Sequence, residues 1–355
     1  MHLGIIGLPQ SGKTTIFNVL THGDQPVVTS GGRFEVHTAI VDVPDPRVDQ
    51  LSELYKPEKT VYAKVAYGDI AGLGSGSGVE ISGALLNQMA QMEGFIHVVR
   101  CFESPEAPHP LGDVDPLRDI QAMDAELLLN DLIAIERKLE RLSDERRKGG
   151  KRDKSQIERE IALFERMQDF LATEEPLRDL EFSTEEEHIL AGYGFLTRKP
   201  ISVLLNLGDG QDAPEIEYSH SHCVVASIQG KLEMEIGQLP NAEAQIFLDE
   251  YGITEPGLDK VIRCSYEMLN QISFFTIGED EVRAWTIMRG TKALEAAGAI
   301  HSDLQKGFIR AEVIPWDDLL SLGSLAEART KGKLRLEGKE YLLNDGEVMH
   351  VRFAI

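Results

Sequence analysis

Basic residues are scarce in this chain. Lys and Arg number 36 against 59 Asp and Glu, a formal charge of −23 over 355 residues. That deficit excludes a surface that binds nucleic acid everywhere, because phosphate neutralisation needs clustered Lys and Arg. Cysteine is scarce too. Cys101, Cys223 and Cys264 are an odd, scattered set with no zinc-ligand spacing, which excludes a disulfide framework and fits a reducing cytoplasm. No run approaches the roughly 18 apolar residues of a membrane span. MHLGIIGLPQ lacks a basic segment followed by a long apolar one, so no secretory leader is expected. The expectation is a cytoplasmic protein with no membrane segment, too long for one ordinary core.

The charge is uneven. Residues 272–355 hold 11 basic and 13 acidic side chains, so nearly all of the deficit lies in the first 271. One stretch there runs the other way. Glu145 to Lys154 carries Arg146, Arg147, Lys148, Lys151, Arg152 and Lys154. Local charge, not the total, decides what a surface attracts.

HLGIIG (2–7), VYAKVAYGDIAG (61–72), FIHVVRCF (95–102), ISVLLNLGD (201–209) and CVVASI (223–228) read as strands among helical patterns. That alternation predicts a parallel α/β sheet. From 120 the period changes. Leu128, Leu132, Ile135, Leu139 and Leu142 form an a/d seam, and Ile157, Ile161, Phe164 and Leu171 continue it after Gly149-Gly150. The pattern predicts an antiparallel helical hairpin over 120–194 with the basic cluster at its tip. That tip is either a solvated helix end or a prong for RNA or another acidic partner. From 272 onward, strands are predicted at 272–278, 282–287, 308–315, 333–338, 339–343 and 348–353, with a helix at 294–300.

Gly7-Leu8-Pro9-Gln10-Ser11-Gly12-Lys13-Thr14 fits GxxxxGK[ST], between a predicted strand and a predicted helix. Glycines let backbone N–H groups converge on phosphate oxygens without steric penalty. Lys13 reaches the β- and γ-phosphates, and the Thr14 hydroxyl ligates Mg²⁺. Gly7, Pro9, Gln10, Ser11, Gly12, Lys13, Thr14 and Thr15 are therefore expected around a triphosphate, with the helix dipole aimed at the anion. Asp69-Ile70-Ala71-Gly72 reads as DxxG at a strand end. Asp69 would help hold Mg²⁺, and the Gly72 N–H would meet the γ-phosphate. Leu73 follows, where many GTPases carry a glutamine that orients water. Leucine cannot hydrogen-bond that water, so hydrolysis needs another group. His109, in the proline-rich loop SPEAPHPLGD, is either a histidine that swings toward the γ-phosphate or an ordinary exposed one. His97, inside an apolar strand, reads as a satisfied core histidine.

Three stretches carry a resemblance. They are VPDPRVD (43–49), GDIAGL (68–73) with HVVRCF (97–102), and EPGLDKVIRCSYEML (255–269), which leads into SFFTIGEDEVRAWTI and GKLRLEGKEYLLNDGEVMHVRF. Together they resemble the YchF / Obg-like ATPase family of P-loop proteins over nearly the whole chain. The resemblance implies a Ras-like core in 1–119 and 195–271, interrupted by a coiled-coil hairpin in 120–194. A C-terminal β-grasp (TGS) domain in 272–355 would complete a monomer. It further implies a hydrolase that prefers ATP, uses Mg²⁺ and associates with ribosomes, through the basic tip and the TGS sheet. Exposed candidates on that sheet are Arg283, Arg289, Lys306 and Arg310.

The sequence departs from the family pattern in places. Gln10 replaces an Asn that could help coordinate a monovalent cation. Arg33 stands where the switch Thr is expected, with Thr29, Ser30 and Thr38 as neighbours. The loop after Leu73 is shorter and lacks lysines. Base recognition falls to Asn206-Leu207-Gly208-Asp209, whose acid is the Asp of GTPases rather than the family's Glu, so ATP is favoured and GTP stays open. Gln229 and Gly230 occupy the second base loop. These departures imply slow hydrolysis, or a nucleotide-gated binding module with almost none.

Overall fold

The computed structural model describes residues 2–21, 28–29, 36–70, 81, 83–148, 152–250, 253 and 255–354. Arg33, Ser30, Gly72, Leu73 and Lys151, and the Thr29 side chain, lie outside what is described. The strands are β1 (His2–Ile6), β2 (Val28–Thr29), β3 (Val36–Asp42), β4 (Lys59–Val61), β5 (Lys64–Ile70), β6 (Gly94–Arg100), β7 (Ile201–Asn206), β8 (Cys223–Ile228), β9 (Gln271–Ile277), β10 (Glu281–Met288), β11 (Phe308–Pro315), β12 (Arg335–Glu337) and β13 (Glu347–Phe353). The chain divides into two compact units, 1–40 with 66–268, and 41–65 with 269–355.

The first unit is built on a seven-stranded sheet of order β2-β3-β5-β1-β6-β7-β8. β5, β1, β6, β7 and β8 run parallel. β6 and β7 are buried at every residue, as strands covered on both faces must be. The helices of this unit include α1 (Lys13–Thr21), α3 (Gly83–Gln91), α4 (Pro116–Lys148) and α5 (Lys154–Leu171), whereas α2 (Pro46–Tyr55) belongs to the second unit. The insertion packs α4 on α5 through Ile135, Leu142, Ile157, Ile161 and Phe164, the positions of the predicted seam. It returns through a 3₁₀ turn at Leu177–Asp179 and α6 (Thr184–Leu190), which opens on a Ser183–Glu186 capping box. Asp131 of α4 ties down the exit. It accepts from the Leu196 N–H, the Thr197 N–H and the Thr197 hydroxyl at 2.6–2.8 Å.

The second unit holds a six-stranded sheet of order β12-β11-β13-β9-β10-β4. Its core joins Phe274, Ala296, Ala297, Val313 and Met349. β4, contributed from early in the chain, pairs in parallel with β10. The VPDPR stretch belongs here. Asp45 caps α2 by accepting from the Arg47 N–H at 3.0 Å, with Pro46 at the first helical position. Arg47 forks onto Asp45, reaches Asp345 at 2.7 Å and lies over the Phe275 ring. Two expectations are therefore corrected. The stretch 61–72 is not one strand: it breaks at Tyr62-Ala63, and its two halves join different sheets. KEYLL (339–343) is not a strand but a turn with one isolated bridge, Lys292 to Leu342.

Candidate nucleotide site

The loop after β1 folds tightly because its neighbours leave no room for side chains. Gly7 has φ 149° and Gly12 φ 94°. A Cβ on Gly12 would lie 2.2 Å from Asn206 Nδ2, and one on Gly7 2.4 Å from the Val98 carbonyl. Gln10 sits left-handed at φ 62°, exposed beside half-buried Pro9. The Ser11 hydroxyl is buried without a partner among the described residues. Lys13 donates to the Gly7 and Leu8 carbonyls at 2.9 and 2.8 Å, holding the loop in shape. Burial lowers its pKa to about 8, against the opposing pull of Asp69. α1 carries no acidic residue in its own first turn, where Thr15 is half-buried, and the acid facing its positive end is Asp69 of β5.

Thr14 and Asp69 converge from α1 and β5. The Thr14 hydroxyl donates to Asp69 Oδ2 at 3.2 Å, while buried Asp69 Oδ1 has no partner among the described residues. An orphaned carboxylate oxygen beside a hydroxyl fits a hard divalent cation.

The candidate base side lies at the ends of β7 and β8. Asn206 ties the loop after β1 to the loop after β8. Its Nδ2 donates to the Ser11 carbonyl at 3.0 Å, and its Oδ1 accepts from the Gly230 N–H at 3.2 Å. A cleft of about 160 Å³ opens beside it, lined by Leu207, Ser227, Gln229, Glu233 and Lys260 among others. The Gln229 side chain accepts from the Gly210 N–H at 3.3 Å and so joins the two base loops. Asp209 does not line the cleft. Its side chain is exposed, with Lys231 Nζ at 3.8 Å. Glu233 and Lys260 escaped the sequence reading. Burial raises the pKa of Glu233, and Lys260 donates to the Ser227 hydroxyl at 3.5 Å. Glu233 lies one turn past Gly230, a readable offset. Lys260 comes from a distant helix, Gly257–Met268, and carries no local signal.

His109 is neither exposed nor free. Its Nδ1 accepts from the Leu111 N–H at 3.2 Å, which puts the proton on Nε2, donated to Asp119 at 2.8 Å. Both side chains are buried. His97 is buried as expected but not satisfied: among the described residues neither ring nitrogen has a partner, and burial, then Lys13, lowers its pKa to about 3. Arg100, at the end of β6, was also missed. It is buried, donates from Nε to the Phe102 carbonyl at 2.9 Å and leaves both terminal nitrogens without a hydrogen-bond partner among the described residues.

The basic cluster at the end of α4 is partly neutralised. Arg147 and Lys148 share Asp144 at 2.8 and 3.3 Å, and Arg152 meets Glu145 and Glu160. Of the candidates in the second unit, Arg283 lies over the Trp285 ring and Lys306 is 3.7 Å from Asp303.

The family model YchF-GTPase_C, described as "Protein of unknown function (DUF933)", matches residues 271–354. The "Ribosome-binding ATPase YchF" of Bacillus subtilis is 38% identical over 99% of both chains, and that of Pasteurella multocida 39% over the same shares. The solved YchF GTPase of Schizosaccharomyces pombe superposes with a TM-score of 0.82 at 32% identity, covering 99% of this chain and 97% of that one. With a P-loop α/β core, a helical insertion and a C-terminal domain that match from end to end, this chain belongs to the YchF family.

Proposed function

We propose that this protein is a Mg²⁺-dependent nucleoside triphosphatase that prefers ATP and docks on the ribosome, as a cytoplasmic monomer. The observation that carries the reading is the pairing of Thr14 with the half-satisfied Asp69 carboxylate, beside the Lys13 loop. Thr14 and Asp69 would hold the cation, which screens the charge of the β- and γ-phosphates when bound. Lys13 exchanges its two carbonyl partners for phosphate oxygens, and the Gly72 N–H meets the γ-phosphate. Leu207, Gln229 and Gly230 would border the base, and Asn206 positions both loops. Asp209 contributes charge at the rim. Asp119 fixes the His109 tautomer, so His109 orients water once Nδ1 gives up the Leu111 N–H. Relatives bearing the name ribosome-binding ATPase support both the reaction and the partner. Arg146, Arg147, Lys148, Lys151, Arg152 and Lys154 are the proposed RNA contacts, with the C-terminal domain as the second. Calorimetry with Mg²⁺ tests the assignment: ATP should bind at least as tightly as GTP, and Lys13→Ala should abolish both. Tenfold tighter GTP binding would reverse the base preference.

The engagement of both His109 nitrogens favours a second reading, a nucleotide-gated binding module with negligible hydrolysis. Phosphate release with and without ribosomes separates the two. Background release in both conditions, with ATP bound, selects the second.

A further inference from the structure

Two segments of the first unit meet near the start of β8, at the opposite end of that strand from Ile228 and Asn206. After α5, Glu174 turns the chain at φ 65°, and the 3₁₀ turn Leu177–Asp179 follows. This brings Glu175 and Asp179 to one side. His220 arrives from the long connection between β7 and β8. Its Nδ1 lies 2.7 Å from Asp179 Oδ2 and 3.7 Å from Glu175 Oε2. The three donor atoms all fall within 4.8 Å of one another, the only such group among the described residues.

A ring N–H satisfies one carboxylate. The second, at 3.7 Å, receives no hydrogen bond from it, and two carboxylates at one nitrogen repel. A divalent cation in place of that proton removes both problems, since a neutral imidazole and two carboxylates balance its charge. The donors are also held. The Ser221 N–H donates to Asp179 Oδ1 at 2.6 Å, which leaves Oδ2 for a ligand. The Tyr218 ring stands edge-on to His220 at 4.7 Å. Arg178, the neighbouring cation, is turned away to the Tyr218 hydroxyl at 2.8 Å. Hydrogen bonds of this outer kind fix ligand orientation and tune affinity. One imidazole nitrogen with two carboxylates is a zinc-type donor set, whereas Mg²⁺ prefers oxygen alone.

We propose that Glu175, Asp179 and His220 bind a divalent transition ion of the Zn²⁺ class, with water completing the coordination. The ion links the foot of the helical insertion to the connection between β7 and β8, the segment that begins at the base cleft. The test uses metal-stripped, nucleotide-free, full-length protein with Mg²⁺ in excess. Zn²⁺ calorimetry should show one equivalent taken up, and Co²⁺ should give visible absorption bands. Asp69→Asn should keep this uptake, which separates it from the nucleotide site. His220→Ala and Glu175→Gln should each weaken it about tenfold or more. Glu175 is exposed, so its variant stays decisive if His220→Ala misfolds. Absence of uptake by the wild type overturns the proposal, as does uptake that both variants retain. Uptake lost in His222→Ala but kept in His220→Ala also overturns it.

Discussion

Lys13 is part-buried with its ammonium on two backbone carbonyls, and the shift that burial causes has a measurable consequence. Its pKa of about 8 means the free protein loses that proton as pH rises through 8. Phosphate binding needs the charged form, so affinity should be flat below pH 8 and fall above it, about tenfold by pH 9. Calorimetric ATP titrations from pH 7 to 9 read this directly; a flat profile contradicts it. Gly12→Ala should abolish nucleotide binding, because its Cβ would sit 2.2 Å from Asn206 Nδ2 on a backbone at φ 94°. Asn206→Ala leaves the Gly230 N–H and the Ser11 carbonyl unpaired, at a cost of about 1–3 kcal/mol for a buried group. A thermal melt that does not move would contradict the tie. The phosphate loop was legible in sequence because it is one contiguous loop with fixed glycine offsets. Lys260 was not, because its place in the cleft depends on the packing of a separate helix, Gly257–Met268, and its partner Ser227 lies 33 residues earlier. Nor was the fate of His109 legible: a proline-rich loop reads as exposed, and only the fold shows Asp119 beneath it.

At the scale of elements, the helical insertion was the easiest part to read. Its apolar period is local, and Leu142, Ile157 and Phe164 fall where the seam puts them. Phe164→Ala should destabilise this layer by about 3–5 kcal/mol, seen as a lowered denaturant midpoint. Asp131→Ala strips three donors of their acceptor at the insertion's exit, and should lower stability by about 1–3 kcal/mol or more. The tip is less basic in effect than in composition, since Asp144, Glu145 and Glu160 already engage several of its cations. Replacing Asp144 by Asn should therefore strengthen RNA binding, and salt titration of a filter-binding assay would register the steeper slope. Strands were misread where alternation alone carried the reading. Tyr62-Ala63 continues the alternating pattern of its flanks, so nothing local marked the point where β4 and β5 part.

At the scale of the molecule, the second unit is assembled from two stretches far apart in sequence, 41–65 and 269–355. The sequence located its C-terminal part through strand patterns. It gave no sign that 41–65 belongs there, because that membership rests on pairing between β4 and β10 and on the reach of Arg47 to Asp345. A chain stopped at Met268 should expose Val48, Leu51 and Val61, all buried in the whole protein. Raised dye binding and new proteolytic cuts within 41–65 would register this. A truncated protein that is soluble and resistant would contradict it. The same arrangement sets an order of events during synthesis. Residues 41–65 emerge early, but their partner strands lie about 200 residues later, a wait of roughly 10–40 s at ordinary elongation rates. Until then the early segment must stay unpaired or be sheltered, so the second unit can close only after the last strands leave the tunnel.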